Sequence, residues 1–168
     1  MPPEFTITST ANRHIVEARK LAQRKHREQQ GRFLVEGLQL LHMALDGGAQ
    51  PDTVFYCAEQ MTGKAAPALL ERFRRTPATL LRVAPTVMDA LAEREMAGGL
   101  LATFALPDVQ LDAVRLAQPA LVVVLDRLQD PGNLGTLVRT ADAVGAAAVV
   151  QIEPGVDLYD PKTLRASM

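Results

Sequence analysis

The chain has 168 residues, of which 48% are hydrophobic and 22% charged, with a formal net charge of −1. That length admits one domain or two small ones, and that balance excludes a disordered chain. The longest apolar runs, residues 120–125 and 143–150, fall well short of the roughly 18 residues of a membrane span, and the first five residues carry no basic stretch leading into an apolar one, so neither a membrane span nor a secretory signal is expected.

Charge is unevenly placed. Residues 1–32 hold seven basic side chains (Arg13, Arg19, Lys20, Arg24, Lys25, Arg27, Arg32) against three acidic ones, a balance of +4 that leaves −5 for the remainder. Such asymmetry suits an arm that meets phosphates, and it equally suits a solvated helix face. Residues 12–28 read as one helix, with Ile15, Ala18, Leu21 and Ala22 at helical spacing and Gly31 as its stop. Residues 32–35 (RFLV) read as a strand. Leu38, Leu41, His42 and Leu45 form a helical stripe ended by Gly47 and Gly48, on which His42 reads as a packed side chain rather than a ligand.

The alternation continues with a strand at 53–57, a helix at 65–75, a strand at 79–83, a helix at 85–95 and a strand at 100–106. Strands alternating with helices indicate an α/β layer fold. Cys57, the only cysteine, reads as a small buried hydrophobe and excludes an internal disulfide or a multi-cysteine metal site. Neither His14 nor His26 has a partner at metal-ligand spacing, so no metal is expected. A reducing cytoplasm is the default compartment. A first domain is expected over 1–106, a proline-bounded linker over 107–119, and a second unit from 120 onward.

That second unit opens with ALVVVLD at 120–126, a Val-rich run expected to be buried on both faces of a parallel sheet. A loop at 127–133, a helix at 134–144 closed by Gly145, and a strand at 147–152 complete one βαβ unit. Ligands of such sheets bind beyond the carboxyl ends of the strands, which places the chemistry within 126–139. Asn133 is suited to cap the helix, Gly132 and Gly135 to let a backbone or a nucleic acid approach, and Arg139 to clamp a phosphate with two hydrogen bonds. Taken alone, Arg139 would be read as a surface arginine. A dinucleotide turn fails because Gly132-x-x-Gly135 lacks the glycine two places before it, and a phosphate-binding P-loop fails for want of Gly-Lys-Ser/Thr.

The series Asp130-Pro131-x-Asn133-x-Gly135-x-x-x-Arg139-x-Ala141-x-x-x-Gly145 resembles the first motif of the SpoU/TrmH family of RNA ribose 2'-O-methyltransferases, within the SPOUT superfamily. Upstream, Asn12-Arg13, Arg24-Lys25-x-Arg27-Glu28 and Gly31-x-Phe33-Leu34-Val35-Glu36-Gly37 resemble that family's accessory RNA-binding domain, an α/β fold similar to some ribosomal proteins. The resemblance runs from about Ile7 to Ser167. It implies an α/β chain in which the substrate-binding domain precedes the first βαβ portion of a trefoil-knot methyltransferase domain, without the knot.

It further implies transfer of a methyl group from S-adenosylmethionine to a ribose 2'-hydroxyl of rRNA or tRNA. Arg139 and Asn133 are then the catalytic residues, and Arg13, Arg19, Lys20, Arg24, Lys25 and Arg27 contact RNA. The family's cofactor loops and most of its homodimer interface would follow Met168, so the chain is expected to be an inactive fragment that binds no cofactor and lacks the usual dimer. Residues 120–168 alone are too few for a complete core, so the first strand would lack cover. The competing expectation is an RNA-binding module without catalysis.

Overall fold

The structure, a computed structural model, describes residues 5–93, 98–108, 111, 114–116 and 118–168. It divides into two compact units, Met1–Leu106 and Pro107–Met168. The expected linker falls in the second unit, and its residues 109, 110, 112, 113 and 117 lie outside the described set.

The first unit is built on a five-stranded sheet: β1 (Thr6–Ile7), β2 (Arg32–Glu36), β3 (Pro51–Tyr56), β4 (Thr79–Val83) and β5 (Leu100–Ala105). The order is β1-β4-β3-β5-β2, with β1, β4 and β3 parallel and β5 antiparallel to both of its neighbours. The mixed α/β class expected from the alternation is what forms. Strand β1 was not anticipated, because two residues are too few to show a period of two.

Five helices cover the sheet: α1 (Arg13–Lys20), α2 (Arg24–Gln30), α3 (Leu38–Asp46), α4 (Ala65–Phe73) and α5 (Pro85–Leu91). Phe55 and Leu101 alternate onto one face and pack with Ile15 and Ala18 of α1 and Val87, Met88 and Leu91 of α5. Val54, Tyr56, Leu100 and Ala102 point to the other face, where α3 and α4 lie. Arg72 ties those two helices together, its guanidinium 3.0 Å from His42 Nδ1 and 2.6 Å from Asp46 Oδ1. His42 is thus a packed histidine. The helix expected to run to 95 stops at Leu91; residues 94–97 lie outside the described set.

The single helix expected over 12–28 is two. Asn12 caps α1, its side chain accepting from His14 N at 2.9 Å. After Lys20 the amides of Leu21, Ala22 and Gln23 turn back to the third residue before each, and Gln23 is extended (φ −104°, ψ 133°). The cause is tertiary. Leu21 is 1% exposed, and its carbonyl, left free at the helix end, accepts Arg27 Nη1 at 2.7 Å. Gly31 closes α2 in the left-handed conformation (φ 64°), which costs a glycine little.

The second unit holds two parallel strands, β6 (Val122–Asp126) and β7 (Ala148–Ile152), with helices α6 (Pro131–Ala143) and α7 (Pro161–Ala166). Strand β6, whose composition suits burial on both faces, lacks cover on one, as expected for so short a unit. Leu125 is buried, but Val124 is 59% exposed and Ile152 beside it 48%. A sheet two strands wide with α6 and α7 packed on each other leaves one face open. Helix α6 starts three residues before the expected position, because Asp130 rather than Asn133 is its cap: Asp130 Oδ1 accepts from Asn133 N at 2.7 Å. Pro131 then occupies the first helical position, where no amide is needed. Asp160 and Pro161 repeat the arrangement at α7. Gly145 follows α6 with φ 69°, as the sequence indicated.

Candidate RNA interface and ribose site

Six basic side chains of the first unit were expected to face RNA. Arg13, Arg19 and Lys25 are oriented to solvent with no hydrogen bond or ion pair among the described residues. Lys20 is held by Glu17 at 2.7 Å and Arg24 by Glu28 at 2.8 Å, each within its own helix. Such exposed pairs are weak and yield readily to a phosphate. The Lys20 ammonium also holds the Glu17 carboxyl below its ordinary pKa. Arg27 requires a correction. It is 3% exposed and bonded to Leu21 O, so its guanidinium serves the helix break and has no surface to offer a phosphate.

In the second unit the loops at the carboxyl ends of β6 and β7 are joined. Val156 N donates to Leu128 O at 2.8 Å, and Gln129 Nε2 lies 3.2 Å from Arg127 O and 3.4 Å from Pro154 O. Gln151 Nε2 donates to Val156 O at 2.8 Å. Asp157 Oδ1 accepts from Tyr159 N, and Asp157 O accepts from Thr163 Oγ1, which anchors this loop to α7. Burial, reinforced by the Asp157 charge, pushes the Tyr159 phenol up. The sequence reading missed this second loop, although its Asp-Pro helix start was as legible as the first.

Asn133 and Arg139 are both exposed on α6. Six residues separate them, about 9 Å along the axis and about 120° around it, so the helix alone does not set them side by side. Arg139 Nη1 donates to Met168 O at 3.0 Å, which occupies one of its five N–H groups. Gly135 departs from its expected role. It faces α7, where an added Cβ would stand 2.5 Å from Ala166 Cβ and from Thr163 O, so its missing side chain admits a helix and not a ligand. Gly132 has open surroundings apart from Asp130 Oδ1.

Cys57 is buried, and burial followed by its contact with Glu59 raises the pKa of its thiol. Among the described residues no group of three or more His, Cys, Asp or Glu is placed to hold a metal ion. No described helix is long and apolar enough to cross a membrane.

Comparison with known proteins places both units. Residues 12–102 match the MRM3-like substrate binding domain and residues 120–168 the SpoU rRNA Methylase family. The chain is 36% identical to an uncharacterised tRNA/rRNA methyltransferase of Synechocystis, aligned over 96% of this chain and 58% of that protein. It is 31% identical to the 23S rRNA (uridine(2479)-2'-O)-methyltransferase of Streptomyces viridochromogenes, over 99% of this chain and 57% of that protein. The structure of an AdoMet-bound rRNA methyltransferase from Sinorhizobium meliloti superposes with a TM-score of 0.83 at 30% identity, covering 98% of this chain and 60% of that one. The chain therefore spans under two thirds of the length of the proteins it matches. It belongs to the SpoU rRNA methylase family and carries that family's MRM3-like substrate-binding domain.

Proposed function

We propose that the chain supplies the RNA-binding unit and the ribose side of the active site of an S-adenosylmethionine-dependent rRNA 2'-O-methyltransferase acting in the cytoplasm. The observation that carries this reading is the motif from Asp130 to Gly145 on α6. It starts at the carboxyl end of a parallel strand and leaves Asn133 and Arg139 open to solvent.

A ribose hydroxyl is a poor nucleophile until its proton is leaving. Arg139 is unsuited to take that proton, since a guanidinium stays charged to above about pH 12. Its role is electrostatic: it steadies the developing alkoxide or fixes the adjoining phosphate, after exchanging its bond to Met168 O for the substrate. Asn133 offers a neutral amide beside the helix N-terminus. The methyl donor supplies an electrophilic methyl group when bound. The residues present do not form its site. The strand-end loops bond to each other, and the open face at Val124 and Ile152 provides no second wall for a cofactor slot.

Ribose methylation mapped across the rRNA of cells with and without the gene tests the reading. One 2'-O-methyl mark should disappear on deletion and stay absent when the gene carries Arg139→Ala. An unchanged map in the deletion, or a mark fully restored by Arg139→Ala, would refute it. A second reading, an RNA-binding module without catalysis, draws support from the first unit, whose sheet buries apolar side chains on both of its faces. It predicts RNA binding together with an unchanged methylation map.

A further inference from the structure

Arg127 is the one residue other than glycine with a positive φ (50°) among the described residues. Seven glycines share that half of the map, where they lack the Cβ that makes it costly. Asparagine is also tolerated there, because its short polar side chain bonds the nearby backbone. The polar group of arginine lies too far out to do the same.

The surroundings hold this conformation. Arg127 follows the last residue of β6, where the chain bends away from the sheet towards the Asp130 cap of α6. Gln129 Nε2 lies 3.2 Å from Arg127 O, and Val156 N donates to Leu128 O at 2.8 Å. A glycine would make the same bend at less cost. Strain kept at the carboxyl end of a parallel strand, where ligands bind, points to a use for the side chain.

The local charge indicates which use. The two strand-end loops, residues 126–130 and 153–160, contain five acidic side chains and a single basic one, Arg127. Four of the five acids are engaged by backbone amides: Asp130 by Asn133 N, Glu153 by Gly155 N, Asp157 by Tyr159 N and Asp160 by Lys162 N. Asp126 is the exception among the described residues, and its two oxygens lie 3.2 Å from Arg127 Nε and 3.5 Å from Arg127 Nη2. The side chains of Arg127 and Asp126 are 70% and 59% exposed, and the contacts are long for a charged pair, so this pair exchanges readily for another anion. A phosphodiester that reaches Asn133 passes Asp130 and its acidic neighbours, which repel it. Arg127 is the one attractive charge those loops offer.

We propose that Arg127 is a second phosphate contact of the ribose site. Its guanidinium leaves Asp126 and takes two oxygens of a phosphodiester in the RNA strand whose ribose is methylated. The planar fork of N–H donors suits that bidentate contact, which a lysine ammonium makes only as a point charge. This contact, which rests on the RNA reading above, adds to Asn133 and Arg139 the cation that admits the strand past an acidic rim.

The test uses the 168-residue chain and a ten-nucleotide single-stranded RNA. Arg127→Asn removes the cation and installs a residue that tolerates the bend. Hydrogen exchange at the Val156 amide, which reads the contact between the loops, should be as slow as in wild type or slower. RNA binding should weaken by about threefold or more, and the slope of log K against log salt should fall by about 0.7, the value of one phosphate contact on a single strand. Arg127→Lys should keep the slope and weaken binding less. The proposal falls if Arg127→Asn binds RNA with wild-type affinity and slope; the RNA reading survives that result if Arg139→Ala or Lys25→Ala weakens binding in the same assay. It falls as well if Val156 exchange quickens in Arg127→Asn while binding weakens with no change of slope, since Arg127 would then only fasten the loop. No RNA binding by the wild-type chain overturns both.

Discussion

Gly135→Ala offers a sharp test of the second unit. Alanine is favoured over glycine inside a helix by about 1 kcal/mol, so a helix considered alone would gain. Here the new Cβ would stand 2.5 Å from Ala166 Cβ, 2.5 Å from Thr163 O and 2.8 Å from Ala166 C. Carbon atoms rest at about 3.5–4.0 Å, so α6 and α7 must part by about 1 Å. Two of the three obstructing atoms are backbone and cannot rotate aside. Overpacking of this kind costs about 1–3 kcal/mol. With the obstruction at the upper end and the propensity gain subtracted, a net loss of about 1–2 kcal/mol is expected. Hydrogen exchange at the Leu164 and Ser167 amides, which bond to Asp160 O and Thr163 O within α7, reads that interface directly. Protection should fall by roughly five- to thirtyfold. Gly132→Ala, whose Cβ would meet only the rotatable Asp130 carboxylate at 3.2 Å, should change it far less. Unchanged or greater protection in Gly135→Ala would show that the two helices are not in this contact.

Further outcomes are expected elsewhere. Arg27→Met should destabilise the first unit by about 2–3 kcal/mol in urea denaturation, because a buried charged hydrogen bond to Leu21 O is lost. Lys25→Ala should leave stability within about 0.5 kcal/mol and lower the slope of log K against log salt for RNA binding by about 0.7–0.9. Since the folded Cys57 thiol has a raised pKa, its contribution to stability is complete below the unfolded pKa and fades as pH rises through the folded one. Urea midpoints should therefore decline above about pH 9, more steeply than in Cys57→Ala, and native Cys57 should resist thiol reagents at neutral pH. A faster reaction than that of the unfolded chain would contradict its burial. Val124→Lys should reduce concentration-dependent association in sedimentation, since Val124 and Ile152 are exposed apolar positions on a short sheet.

The sequence was most legible where local chemistry and packing agree. Strand β4 begins and ends as expected, and β2, β5 and α3 lie within a residue of the reading, because alternating or stripe patterns there end in turn residues. Two failures had different origins. The start of α6 carried its own signal, since Asp-Pro names the cap and the first helical residue, and Asn133 three places on was an equally good capper chosen in its stead. The break between α1 and α2 carried almost none. Residues 15–22 have helical periodicity and 23–28 are polar without a helix breaker, so only the burial of Leu21 and the reach of Arg27 back to its carbonyl favour two helices over one. At the candidate site, the pattern located Asn133 and Arg139 but not what Gly135 faces, which depends on α7 some thirty residues later. Arg127, read as one residue of a loop, stands out only once its φ is known and the two strand-end loops are in contact.

The bond between Arg27 and Leu21 has a consequence for experiments that scan this basic segment one residue at a time. Arg27 sits among true surface cations, and its removal would depress apparent RNA affinity as theirs does. The deficit would come from a smaller fraction of folded molecules, so it would diminish on cooling toward the temperature of maximum stability or on adding a stabilising osmolyte. A deficit at Arg19 or Lys25 would persist under both treatments. Measured at one temperature, the strongest hit in such a scan would identify the fastening between two helices as the centre of the interface.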